Sequence, residues 1–367
     1  MQLRVDLWRR MVVLMFLLVV AGTLRAQDWG KVDDWMTAHV REMGGRAILL
    51  VYKEGKVAYV KPVSDMSRRQ KMVDRFIARR QGKEADLGDY TMQSRQPIAS
   101  CSKWLSAALV MTFVDEGRLN LSDTVGKYLP LLSAKGKGNI TIQQCLSHLT
   151  GIKEPPLKES FKDMKNVRSM DQAVAYIAEM PMEGDPGKVF HYSSAGLQIA
   201  GAILEKISGK SFETLFAERI AGPLGMKNTD FGRGPVAMPA GGASSTPEDY
   251  MRFLVMILDK GVYNGARILS EKSVAEMQVN RLTPAVRVAY SPAEVGGGAE
   301  AGTGLGYGYG EWVMGTAVTS PGLFGSFPWV DQRGKYCAFL MTFYLKNEGR
   351  LERYIALKGL IDGILSK

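Results

Sequence analysis

The chain has 367 residues, 46% of them hydrophobic and 23% charged, with 40 Gly, 15 Pro and only three Cys and three His. That balance excludes disorder, a collagen-like repeat and a disulfide scaffold, and the length permits one large domain or two small ones. The formal charge is +10; it is spread along the chain without a nucleic-acid motif, so no nucleic acid is expected, whereas weak association with an anionic envelope surface suits a moderate positive field.

In chain order, basic residues up to Arg10 precede an uncharged run of 14 residues, 11–24, and Ala26 stands before Gln27-Asp28. Residues 1–26 are expected to form a secretory signal peptide, because the run falls short of the roughly 20 residues that span a bilayer. The domain is then 27–367, exported to the periplasm or the extracellular space. Residues 29–43 have the spacing of an amphipathic helix, which Gly44-Gly45 ends. Residues 47–52 and 57–60, joined by Glu54-Gly55-Lys56, predict a β-hairpin. Residues 67–84 combine Arg68, Arg69, Lys71, Arg75, Arg79 and Arg80 with Met72, Val73 and Phe76 at helical spacing. This is a basic amphipathic helix, its charged face either solvated or set against an anionic surface.

Residues 101–116 are apolar nearly all round, with Trp104, Leu105, Leu109, Met111 and Phe113, and Gly117 closes them. A helix without a polar face is a buried one. Helical signals continue through the middle. Thr141 with Gln144 makes a capping box, 170–180 and 196–207 have helical periodicity, and Thr246-Pro247-Glu248-Asp249 opens a further helix. Strand signals return at 310–316, 324–330 and 336–343, before a last helix at 350–365. The order predicts an α+β fold: one antiparallel sheet built from the N- and C-terminal segments, flanked by helices, with a mainly helical lobe inserted at about 118–285. Residues 296–310 read as a Gly-rich loop, because the glycines at 302, 304 and 306 lack the strand-to-helix setting of a nucleotide site. Cys101, Cys145 and Cys337 read as small buried hydrophobes, and His39, His148 and His191 lack metal-ligand spacing. Neither metal nor cofactor is expected.

Ser100 opens the buried helix and Lys103 follows three residues on, so both project from one face of its first turn. The helix amino terminus favours negative charge, and a Lys whose pKa is lowered by burial can take the hydroxyl proton. Ser-x-x-Lys occurs once in the chain, at the opening of its most apolar helix. A surface Lys there is unattractive, since its neighbour Trp104 lies on a helix with no solvent face.

The run Ile98-Ala-Ser-Cys-Ser-Lys103, with Asp115-Glu-Gly-Arg-Leu-Asn-Leu-Ser-Asp-Thr-Val125 and Lys127-Tyr-Leu-Pro130, is followed in order by Leu146-Ser-His-Leu-Thr-Gly151, Pro223-Leu-Gly-Met226 and Ser245-Thr-Pro-Glu-Asp249. Together they resemble the penicillin-recognising serine hydrolases, especially class C β-lactamases and their esterase and D-aminopeptidase relatives. The resemblance covers nearly the whole mature chain and implies a β-lactamase/transpeptidase-like fold. It implies that Ser100 attacks a carbonyl, Lys103 accepts its proton, and Tyr192 of His191-Tyr192-Ser193-Ser194 shuttles protons to the leaving group. The N–H groups of Ser100 and Leu323 would form an oxyanion hole.

Two residues depart from the family pattern. Ser194 stands where the second motif usually ends in Asn, and Ser320-Pro321-Gly322 where the third begins with Lys or His. The cation that holds a β-lactam carboxylate is therefore missing. The expected activity is that of an exported, cofactor-free serine hydrolase. It would cleave an ester or amide in a small molecule or peptide through an acyl-enzyme, and be esterase-like. The alternatives are a β-lactamase or D-Ala-type peptidase, and a catalytically weak peptide- or glycan-binding protein of the same fold.

Overall fold

A computed structural model describes residues 28–366, apart from 81, 83, 157–158, 161–162, 164–165, 233, 293–303 and 347. The expected signal peptide and much of the Gly-rich loop lie outside the described residues.

The expected hairpin is present as β1 (Arg46–Lys53) and β2 (Lys56–Ser64). Five strands near the carboxyl end complete its sheet: β3 (Gly306–Tyr307), β4 (Trp312–Met314), β5 (Ala317–Thr319), β6 (Phe327–Asp331) and β7 (Tyr336–Thr342). Their order across the sheet is β2-β1-β7-β6-β5-β4-β3, and every neighbouring pair is antiparallel. The first and last parts of the chain thus meet inside the sheet, where Leu49 of β1 sits opposite Leu340 of β7.

The sheet is covered on both faces, and the period-two alternation of β1 and β7 decides which residue faces which side. Ala47, Leu49 and Val51, with Tyr336, Ala338 and Leu340, pack against α1 (Gly30–His39) and α6 (Arg350–Leu365) through Val32, Met36, Tyr354, Leu357 and Ile361. Ile48 and Leu50, with Cys337, Phe339 and Met341, face the larger core instead. That core contains the helix expected to be buried, α3 (Ser102–Asp115), in which all residues from Ser102 to Phe113 are buried. Alongside it are α4 (Ala195–Ser208) and α5 (Pro247–Leu258), whose Phe253 meets Trp104 edge-on at 5.6 Å between ring centroids. The basic helix is α2 (Arg68–Arg80), on the outside after edge strand β2. All three cysteines are buried and free.

Several boundaries differ from the expectation. Helix α1 stops at His39, and the chain reaches β1 through Gly44 and Gly45, whose φ values of +91° and +86° suit glycine. The strand expected over 310–316 shrinks to β4. Gly310 takes a φ of +73° as it presses on α3, and Gly315, at φ +60°, turns the chain into β5. The strand expected from 324 starts at Phe327, because Gly322 to Ser326 form a turn closed by the Gly322 N–H donating to the Ser326 carbonyl.

Candidate active site

A single 3-10 turn, Ala99–Cys101, carries Ser100 into α3, with Ala99 at a φ of +46°. A non-glycine residue at positive φ is strained, and here the strain sits immediately before the expected nucleophile. The turn is clamped from two sides. Tyr250 of α5 donates its hydroxyl to the Cys101 carbonyl at 2.8 Å. From the sheet, a Cβ at Gly322 would stand 2.4 Å from the Ile98 carbonyl oxygen and one at Gly310 equally close to that of Lys103, so only glycine permits this approach.

Lys103 Nζ lies 3.1 Å from Ser100 Oγ and donates to the Ala240 carbonyl at 2.7 Å. Only 4% of the residue is exposed. Burial disfavours the ammonium and brings its pKa down from 10.5 to about 8, with the negative charge of Glu154 pulling the other way. The Tyr192 ring is 4.6 Å from the same Nζ and stacks on Trp312 at 5.4 Å. Burial holds its phenol well above the usual tyrosine range, against an opposing hydrogen bond with Ser100. Ser100, Lys103 and Tyr192 therefore converge.

The remaining expected positions are placed less uniformly. Ser194 is the N-cap residue of α4, and its N–H, with that of Ala195, donates to one oxygen of Glu154. Helix N–H groups and the helix dipole favour such a carboxylate. Ser194 and Glu154 border a cavity of about 40 Å³, whose other walls include Tyr176, Met180, Met238 and Ala240. Ser320, 2% exposed, turns away from the cleft and shares its hydroxyl proton between the carbonyls of Ser100 (3.1 Å) and Gly310 (3.0 Å). It is a tie between sheet and helix, so this position offers neither a charge nor a free hydroxyl to a substrate. Leu323, next to Gly322 at the turn that approaches Ile98, is 39% exposed. Among the described residues its N–H donates to no other group, while its carbonyl accepts from the Arg350 guanidinium at 2.9 Å.

Sequence reasoning missed several contributors. His148 stands in the Leu146–Gly151 landmark and is one of three scattered histidines, but the sequence assigns it no part in the site. Its ring is buried 4.6 Å from that of Tyr192, with Nε2 2.9 Å from the Tyr307 hydroxyl and Nδ1 accepting from the Ser193 N–H at 3.3 Å. Burial, and then the Lys103 charge, depress its pKa far below the usual value, so it packs as neutral imidazole. Glu154, Trp312, Arg350 and the Ala240 carbonyl were also missed. Of these only Glu154 had a local signal, six residues after His148 in an otherwise recognisable segment.

The model of the family described as Beta-lactamase matches residues 33–359. An uncharacterized protein of Mycobacterium tuberculosis (strain CDC 1551 / Oshkosh) is 28% identical over 238 residues, 51% of this chain and 59% of that protein. The D-alanyl-D-alanine-carboxypeptidase/endopeptidase AmpH of Escherichia coli (strain K12) is 26% identical over 190 residues, 45% of this chain and 49% of its own. The matches thus span about half of these curated relatives. Among solved structures, a candidate beta-lactamase from Bacteroides dorei DSM 17855 superposes with a TM-score of 0.74 at 26% identity, covering 93% of this chain and 100% of its own. EstCE1, described as a hydrolase with promiscuous acyltransferase activity, shares the fold with a TM-score of 0.72 at 18% identity, covering 93% and 100%. With the family model spanning most of the chain and this sheet-and-lobe architecture behind it, the chain belongs to the beta-lactamase family, whose members are generally serine hydrolases.

Proposed function

We propose that the protein is an esterase-like serine hydrolase that forms an acyl-enzyme on Ser100, acting on an ester or amide with little negative charge near the scissile bond. The observation that carries this reading is the buried Lys103 amine, 3.1 Å from Ser100 Oγ with a pKa near 8. Neutral Lys103 takes the Ser100 proton as Oγ bonds to the substrate carbonyl carbon, and the carbonyl oxygen becomes an oxyanion. The N–H groups of Ser100 and Leu323 face that charge, an arrangement worth about 3–4 kcal/mol per donor where measured. As the tetrahedral species collapses, the carbon–leaving-group bond breaks and Tyr192 passes its phenolic proton to the departing oxygen or nitrogen, taking one back from the Lys103 ammonium. Water then attacks the acyl-enzyme by the reverse proton path. Because Tyr192 stays protonated by burial, Lys103 is the resting base.

The substrate preference rests on charge. Ser320 replaces the family's cation and is tied to backbone, while Glu154 places a carboxylate beside the cleft. A carboxylate on the substrate would meet repulsion with no partner to offset its desolvation. The second reading, a D-Ala-type carboxypeptidase, draws on the likeness to AmpH, whose name describes that activity. It requires recognition of a terminal carboxylate and is therefore the weaker. The expected leader over 1–26 supports a reaction outside the cytoplasm.

The test is to incubate the protein with a fluorophosphonate probe and, separately, a labelled penicillin, mapping adducts by peptide mass and measuring penicillin hydrolysis. Phosphonylation at Ser100 without penicillin adduct or hydrolysis is the expected result, and Ser100→Ala should lose all labelling at an unchanged melting temperature. Penicillin acylation or turnover would restore the β-lactamase or peptidase reading. Failure of folded protein to react with either probe would favour a binding protein.

A further inference from the structure

The active-site chemistry leaves α2 unexplained. Arg68, Arg69, Lys71, Arg75, Arg79 and Arg80 lie within this one helix, and its single acidic residue, Asp74, is half-buried and reaches Arg46 at 3.4 Å. On the outer face, among those arginines, Met72 is 63% exposed, Val73 44% and Phe76 57%. A helix whose outer face is merely solvated has no use for three large apolar side chains at its centre. A second exposed apolar group lies near the amino-terminal end of α2. Leu345 is 65% exposed and Phe343 40%, with Phe343 stacked on Phe324 at 4.8 Å and Leu323 next to Phe324 in the chain. The two groups flank one turn: Gly44 abuts the Phe343 carbonyl, and Gly45 abuts Gln70 of α2.

We propose that α2 docks the protein on an anionic lipid bilayer, its arginines on the headgroups and Met72, Val73 and Phe76 inserted among the upper acyl chains. Charge complementarity identifies the partner: each Arg or Lys near an anionic leaflet contributes about 1 kcal/mol, and among the described residues of α2 no acidic side chain on the outer face opposes the row. The inserted trio separates a bilayer from a soluble polyanion, which has no apolar phase to receive it. Docking in this way brings the Gly44-Gly45 turn, and with it the exposed Phe343 and Leu345, toward the membrane surface. The proposal does not depend on the catalytic reading.

The test is co-sedimentation of the full chain with vesicles of phosphatidylcholine alone or doped with phosphatidylglycerol, across a salt series. Two variants are compared, a charge variant (R68Q/R69Q/R75Q/R79Q) and an apolar variant (M72S/V73S/F76S), each checked for an unchanged melting temperature. Binding is expected only to the doped vesicles and to weaken as salt rises, with each variant reducing it by about tenfold or more. Wild-type binding by either variant would overturn the proposal and place the attachment elsewhere, such as the uncharged run at 11–24. No vesicle binding, with a soluble polyphosphate bound equally by wild type and apolar variant, would overturn it in favour of a polymer ligand.

Discussion

At the scale of single residues, the decisive quantity is the proton on Lys103. Its pKa of about 8 means that the ammonium form dominates at neutral pH and the basic amine appears above it. Phosphonylation of Ser100 should therefore accelerate with pH and level off above about 8. Glu154 raises that pKa through its charge, so Glu154→Gln should move the inflection to lower pH, and a stopped-flow labelling profile checks this. The same shift acts on stability. Because the folded pKa lies below the unfolded one, the cost of burying the ammonium is fully present below pH 8 and fades as pH rises toward 10.5. Lys103→Met should accordingly be inactive yet more stable than wild type at pH 7, by on the order of 1–3 kcal/mol, with the gain shrinking toward pH 10 in denaturant titrations. Ser100, Lys103 and Tyr192 were legible in the sequence because each sits in a short motif. Glu154 and Arg350 were not, since their partners, the Ser194 N–H and the Leu323 carbonyl, lie 40 and 27 positions away and are brought to them only by the fold.

At the scale of elements, the sheet edge and the amino terminus of α3 act as one unit, held by Ser320 and by two glycine contacts. A methyl group at position 310 would meet the Lys103 carbonyl at 2.4 Å in a backbone conformation that L-residues disfavour. Gly310→Ala should lower stability by a few kcal/mol and suppress Ser100 labelling even where the protein remains folded, because the shift falls on Lys103. Arg350 is a positioning residue from the last helix, and its guanidinium spans the carbonyls of Leu323, Tyr344 and Lys346. Arg350→Met should reduce kcat on a soluble ester far more than it changes KM, since it would loosen the proposed oxyanion donor Leu323 rather than a substrate contact. The elements themselves were largely readable. Strands β1 and β7 are continuous apolar runs because both their faces are covered, and α3 lacks a polar side for the same reason. Boundaries at 310–316 and 324–330 were misread because glycine contacts and a turn, both tertiary in origin, cut the runs short.

At the scale of the whole molecule, the core beneath the sheet is continuous with the helical lobe, joining Ile48 and Phe339 to Ile203, Phe216 and Leu254 in one cluster. Such a core leaves the lobe without an interior of its own, although the opposite face of the sheet keeps a second cluster against α1 and α6. Unfolding followed by far-ultraviolet circular dichroism and by tryptophan fluorescence should therefore coincide, and Leu109→Ala in α3 should shift both transitions together, by about 2–5 kcal/mol. Separate transitions would mean that sheet and lobe are distinct folding units.

The pairing of β1 with β7 also bears on how the chain is made. Beyond the β2 hairpin, the seven residues from 47 to 53 find their second set of partners at 336–342, and the Lys53 amine closes on the carbonyl of Leu365. While the protein is being synthesised, one side of β1 is covered early by β2, but the other has no neighbour until residues 336–342 have left the ribosome. The large sequence separation of that contact slows folding and leaves one side of an apolar strand unpaired in the nascent chain. The same delay means that a truncated product cannot assemble the cleft. Reactivity at Ser100 would thus report that β7 has been made and has reached β1.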